Sequence, residues 1–373
     1  MLALAAAGSV LSVTACATGA HPSAAHRSQS HATSTAEIAG LGNVRLPAGF
    51  RVLGTWTLQP GRAQFLTQLG GDLFWLTDGR HATPDEAAPL HRVERLDPLT
   101  GQISVVGDSG RASYAGIATG ADALLVATET PATAAMCGPA ARSSCVRPVL
   151  SWLRPDGNTR VLATTDPQPE SVDAGYGFYQ LGHGVLLRTF HGGRPSLVMW
   201  SSTRAAPTAV AADQVNSVTV TSVGSALVGQ YYGERRMWTF GGPQPPAGAA
   251  YGGIDPTGSR THLAWRTESA AGRKTVYVST LRGNSYGPPR AIATGDVGAF
   301  AWATDCLLFL LESDGVLVAH VCRPGMPVER VLTAEQTQRL YSLAKFTAAA
   351  GRVAFAVQTR TAEVVVLLQT PSE

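Results

Sequence analysis

Charge is scarce in this 373-residue chain: only 15% of residues are Asp, Glu, Lys or Arg. Lysine is nearly missing, with Lys274 and Lys345 the only two among 29 basic residues. Those basic residues are scattered and the net charge is +3, so the basic face that a nucleic-acid groove needs is lacking and no nucleic-acid partner is expected. No apolar run reaches the roughly 18–20 residues of a bilayer-spanning helix, which excludes a multi-span helical membrane protein. Cysteine is limited to five residues, none with the CxxC spacing of a zinc site, and neither metal nor cofactor is expected. A convincing 3.6-residue apolar period is missing too, which argues against a helical domain. Abundant instead are apolar residues (45%), 40 Gly and 23 Pro. That balance opposes disorder and suits many short strands joined by tight turns.

The first residues form a small apolar run, 2–15, that ends at Cys16. Its length is that of a signal-peptide core. Val13-Thr14-Ala15-Cys16 resembles the lipobox of bacterial lipoproteins, and the lysine-poor, Ala/Gly/Pro-rich composition is similar to actinobacterial-type proteins. The resemblance implies a diacylglyceryl group on Cys16 and an extracytoplasmic protein held to the cell membrane by lipid. No Lys or Arg precedes Arg27, so the basic start of such a signal would lie upstream of the present first residue. Residues 16–40 are rich in Ser, Ala, Thr and His and read as a flexible tether. His21, His26 and His31 recur in it as a polar spacer would have them.

With Cys16 assigned to lipid, Cys137, Cys145, Cys306 and Cys322 remain. Export favours oxidation, and two local disulfides, Cys137 with Cys145 and Cys306 with Cys322, use every one.

The body, 41–373, repeats a turn followed by a strongly apolar run. Aligning Leu73, Leu124, Leu186, Leu227, Leu263, Leu308 and Val353 gives seven units about 47 residues apart. A weaker strand precedes each run and two follow it. The fold class expected is therefore all-β: a seven-bladed β-propeller of four-stranded antiparallel blades. The last unit lacks a fourth strand and the strand 50–58 is spare before the first, so 50–58 is expected to close the ring in the last blade. The fourth unit fits worst, since 235–248 holds no clear fourth strand. IDPTGSRTHLAW (254–265) resembles the repeat of TolB-like and WD40-like bacterial propellers, and VERLDPLTGQISVV (93–106) is similar to the hairpins of quinoprotein-like propellers. Both are turn chemistry and imply fold, not activity.

In such a blade the first-to-second and third-to-fourth turns leave one face. The second-to-third loops and blade connections leave the other. The second set holds the long polar segments, among them 78–92, 128–148, 164–177, 190–195 and 231–236, so binding is expected there. Asp108, Asp166, Asp213, Asp296 and Glu335 recur after fourth strands. They either form a carboxylate ring at a channel mouth or each cap their own turn. Tyr231, Tyr232 and Arg235, with Glu234 and Arg236, mix aromatics and charge as contact surfaces do. His81, Asp85, Glu86 and His91 match no metal spacing. Gly283–Gly287 fits GxSxG, but it sits in a hairpin where a nucleophile elbow needs a strand-to-helix turn. The function expected is non-catalytic binding of an envelope protein or glycan by a monomeric, lipid-anchored propeller. The alternative is an envelope hydrolase or lyase working in the central channel.

Overall fold

The computed structural model describes residues 34–38, 42–47, 49–77, 90–110, 112–120, 122–132, 145–164, 168–169, 178–181, 184–191, 194–201, 208–209, 217–231, 234–303, 306–311, 315–320, 328–333, 346–349, 351–358 and 362–370. Cys16, Cys137, Asp166, Asp213, Tyr232, Cys322 and Glu335 lie outside them.

The fold is all-β, and its sheets have the arrangement of a β-propeller. The expected ring of seven like blades is corrected: five blades are present, most of them four-stranded. Five sheets combine a four-strand path with described side chains. They span 64–108, 113–164, 253–295, 297–332 and, in the last, 346–369 with 51–58. The blades of 113–164 and 253–295 each carry a fifth, two-residue strand, Gln168–Pro169 and Ser285–Tyr286. The remaining sheets differ. Ser217–Val223, Ala226–Tyr231 and Met237–Phe240 make only three strands. Phe178–Leu181, Gly184–His191, Arg194–Ser201 and Thr208–Ala209 form a ladder whose side chains are almost all outside the described residues. Ser34–Ile38 and Gly42–Leu46 form a separate hairpin. The count fails because an apolar run marks a second strand without guaranteeing the outer strand that completes a blade. In the three-stranded sheet Met237–Phe240 runs into GGPQPP, whose prolines supply no N–H for a ladder.

Pairing at the chain ends follows the spare-strand reasoning. Arg51–Leu58 runs antiparallel to Glu363–Gln369, in the order 346–349, 352–358, 363–369, 51–58. The hairpin Ser34–Ile38/Gly42–Leu46 lies partly inside the stretch read as tether. Its Ile38, Val44 and Leu46 are buried in one cluster with Leu308, Val316, Val353 and Phe355, so it packs across the seam of the last two blades.

The core lies between sheets, as in a propeller. Leu69, Phe74, Leu76 and Val93 meet Tyr114, Ile117, Leu124 and Leu153 of the next blade. Leu73, Trp75 and Leu96 meet Ala354, Val365 and Leu367 across the closure. Middle strands covered on both sides read as unbroken apolar runs: Asp72–Thr77 is buried at every position after the first. Each fully buried large side chain there contributes about 1.5–3 kcal/mol. The outer strand Ile103–Asp108 has no buried residue, and its sequence loses the apolar bias accordingly.

Inner strands are stitched laterally by polar groups. Thr67 and Thr119 hydroxyls bond each other, Gln68 Nε2 donates to Thr347 O at 3.2 Å, and Trp302 Nε1 donates to Thr257 O at 3.0 Å. Gly258 N donates to Thr221 Oγ1 at 2.7 Å, an approach so close that a Cβ at Gly258 would overlap the Ser222 carbonyl. Phe65 and Asp255 share a left-handed φ, 54° and 51°, and both sit at a bulge in a first strand. The same strain at the same place in two blades marks a bend that the fold requires, not a reactive site.

Candidate functional site

The loop-rich end of the propeller gathers charge. In the three-stranded sheet the chain leaves Ala226–Tyr231 and re-enters at Met237 through a tight turn. Tyr231 N donates to Arg236 O at 3.1 Å, and Gln230 Nε2 donates to Glu234 O at 3.1 Å. That turn places the Arg236 guanidinium 4.6 Å from the Tyr231 ring centre and 3.0 Å from Glu234 Oε2. Arg235 is thrown the other way. Its Nη1 donates to Glu268 O at 2.9 Å and its Nη2 to Glu268 Oε2 at 2.8 Å, at the end of a second strand in the adjacent blade. Lys274, opening the following strand, pairs with Asp296 at 2.8 Å.

Closer to the axis the contacts are less exposed. Asp255 N donates to Gln230 Oε1 at 2.8 Å, the Asp255 carboxylate pairs with Arg266, and Arg266 Nη1 donates to Val297 O at 2.6 Å. A ribbon of polar contacts therefore crosses three successive sheets. Its outer members are solvent-facing: Arg235, Arg236, Glu234 and Asp296 are all more than half exposed. Pairs this exposed contribute only about 0–1 kcal/mol each to stability.

Of the residues singled out by sequence, Tyr231, Arg235 and Asp296 lie in this ribbon, with Glu234 and Arg236. Asp108 does not join them. It ends a fourth strand in another blade, where Oδ1 accepts from Gly110 N at 2.9 Å and Oδ2 faces Arg92 Nε at 3.4 Å. The Gly110 N–H, and then Arg92, hold its carboxyl below the ordinary aspartate range. Asp108 is a turn cap, and no carboxylate ring is assembled by Asp108 and Asp296. His91 ties its loop to the connection leading to the next blade, its Nδ1 lying 2.7 Å from Ala112 O; His81, Asp85 and Glu86 lie outside the described residues. No group of three or more His, Cys, Asp or Glu suited to a metal occurs among the described residues. Ser285 of the GxSxG match lies in a short hairpin strand paired with Lys274–Arg282, with no helix following. No disulfide is found among the described residues, so the two expected pairings gain no support; Cys306 is buried.

Sequence reading missed a second charged cluster at the same end of the molecule. Arg62 grips Glu94 with two bonds, Nε to Oε2 at 2.8 Å and Nη2 to Oε1 at 2.6 Å, and Trp75 Nε1 donates to Oε2 at 2.9 Å. Glu94 raises the Arg62 pKa above its ordinary value, chiefly through the hydrogen bonds. Beside it Glu363, fully buried, accepts Ala63 N at 2.7 Å. The signal was legible: a carboxylate inside VERL (93–96) and another opening EVVVLL (363–368) can be buried only with partners.

No family model matches the chain. No curated protein matches it either. Among solved structures, the β-propeller domain of the Trilobed protease from Pyrococcus furiosus is similar, with a TM-score of 0.51 at 6% identity, covering 84% of this chain and 99% of that one. That domain is described as having an open velcro topology, whereas here Arg51–Leu58 joins the last sheet. A prolyl endopeptidase reaches 0.50 at 11% identity, covering 83% of this chain and 47% of that one. The CRINKLY WD40 ectodomain of the Arabidopsis thaliana receptor kinase ACR4 scores 0.45 at 10% identity, with 83% and 98% covered. The chain spans about half the length of the acylaminoacyl peptidases it also matches, 57% and 49%. At these identities the likeness is one of fold: a β-propeller, as found in peptidase propeller domains.

Proposed function

We propose that this chain is a cell-envelope lipoprotein whose propeller binds an envelope protein or glycan through its loop-rich face, without catalysis. The observation carrying this reading is the ribbon in which exposed Arg235, Arg236, Glu234 and Asp296 are held by half-buried Tyr231, Glu268 and Lys274. It spends aromatic and charged side chains where they contribute little to stability, on a rigid sheet scaffold, as contact surfaces do. The lipobox resemblance at Cys16 supports anchoring to the membrane.

Two arms test this. The chain and its Cys16→Ala variant are expressed in a bacterium that processes lipoproteins, and membrane and medium are assayed. Release of the variant into the medium is expected; equal membrane retention refutes the anchor. In the second arm, Tyr231→Ala/Arg235→Ala/Arg236→Ala is compared with the parent for co-sedimentation with isolated cell envelopes. Loss of at least tenfold in apparent affinity at unchanged melting temperature is expected. Undiminished binding refutes the assigned face.

A further inference from the structure

The hairpin Ser34–Ile38/Gly42–Leu46 stands first in line for any pull on the N-terminal side of the chain. Its register pairs Ser34 with Leu46 and Ile38 with Gly42, so the chain enters and leaves at the same, open end. Tension between Ser34 and the body of the propeller therefore loads one pair at a time, starting from Ser34 and Leu46, instead of all five together.

Side chains hold the hairpin to the ring. Its second strand lies along Glu329–Leu332 of one blade and its first against Arg51–Leu58 of the next. Ile38, Val44 and Leu46 are buried there with Val316, Val331 and Phe355, filling the gap between two blades. Phe50 follows, 3% exposed in the same cluster, and its N–H donates to Pro47 O at 3.0 Å. A buried ring thus pins the chain just before the closure strand begins. The closure strand Arg51–Leu58 is held more firmly. It makes seven pairs with Glu363–Gln369, and beyond its far end Glu363 accepts Ala63 N while Arg62 pairs with Glu94.

We propose that this hairpin is a mechanical clasp that yields before the ring closure. Tension on the N-terminal side peels Ser34–Leu46 off the seam, stops at Phe50 and leaves Arg51–Leu58 in its sheet. Peeling frees up to about 55 Å of chain between Ser34 and Phe50, at about 3.3–3.6 Å per residue. Reburial of Ile38, Val44 and Leu46 drives the hairpin back when the load falls. The source of the load is the lipid anchor proposed above, and the clasp rests on that reading only for its use. The peeling itself depends on residues 34–58 alone.

The test holds the full chain in optical tweezers by DNA handles joined enzymatically to its two ends, with extension followed at constant force. A reversible first step of up to about 55 Å is expected, separate from the later opening of the ring. Val44→Ala should shorten the lifetime of the clasped state at least fivefold at the same force. Val44→Asp, which puts a charge in the seam, should abolish the first step and leave the later opening in place. Phe50→Ala should lengthen the first step into the closure strand, and Glu94→Ala should alter only the later opening. A parent chain whose ring opens together with the hairpin overturns the clasp, as does a first step unaltered by Val44→Ala and Val44→Asp. Loss of the later opening in Val44→Asp overturns it too. Membrane retention of the Cys16→Ala variant bears on the anchor alone, so the two readings fail separately.

Discussion

Two charged clusters stand at the same end of this propeller and use the same chemistry to different ends. At the closure, Glu94 is 3% exposed and its carboxylate is shared by Arg62 and Trp75, while Glu363 holds the backbone of Ala63. Both carboxylates clamp the segment between Arg51–Leu58 and Gln64–Leu69, the link that joins the last blade to the first. Across the face, the bridge from Arg235 to Glu268 also joins neighbouring sheets, yet its guanidinium is 55% exposed. Burial decides the difference. A desolvated carboxylate is costly without its partners, so the closure cluster holds the fold together. A solvated pair can exchange its partner for another at little cost, which is what the binding role proposed for the ribbon requires.

Breaking the buried member gives the largest expected effect. Glu94→Ala strands the indole N–H of Trp75 and the Arg62 guanidinium, and a loss of about 3 kcal/mol in unfolding free energy is expected by urea denaturation. Next comes Tyr114, where burial, and secondarily Asp108, push the phenol up to about 12 from 10.0. A raised value stabilises the fold fully below pH 10, and that contribution is lost as pH rises through 12. Alkaline melts should therefore fall by about 2 kcal/mol between those limits, and Tyr114→Phe should remove this part of the slope. The smallest effect belongs to the ribbon: Arg235→Ala and Lys274→Ala should each change stability by less than about 1 kcal/mol, and less still in high salt. If Arg235→Ala proved as damaging as Glu94→Ala, the contrast between the two clusters would disappear.

At acid pH the turn carboxylates Asp97 and Asp156 give a finer check. Backbone N–H groups, of Leu99 and Asn158 respectively, lower both. Their contributions are present above the ordinary aspartate value and fade as pH falls through the depressed ones. Asp97→Asn should flatten the acid limb of a pH–stability curve slightly, leaving the alkaline limb untouched.

How much was legible follows from what each pattern encodes. Apolar runs such as LFWL at 73–76 mark middle strands covered on both sides, and these were readable. The partner of 50–58 was readable too, because an unpaired strand before the first unit and a vacancy after the last leave one economical solution. Blade number was not. Outer strands such as Ile103–Asp108 touch solvent and lose the apolar signal, and a Pro-rich stretch after Phe240 supplies no strand at all. In the site, Tyr231 and Arg235 were found because aromatics and charges crowd one turn. Glu268 and Arg266 were not, since their role depends on which blade stands next to which. Asp108 and Asp296 looked equivalent in sequence, yet one caps a turn and the other meets a lysine.

The central claim, that partners meet the loop-rich face, is tested most directly by site-specific photo-crosslinking in cells. A photoreactive residue is placed at Tyr231 in one variant and in another at Leu99, a 95% exposed position at the short-turn end. A discrete adduct from position 231 that disappears with Arg235→Ala/Arg236→Ala is expected, and none of that mass from position 99. The same adduct from position 99 but not from 231 would contradict it.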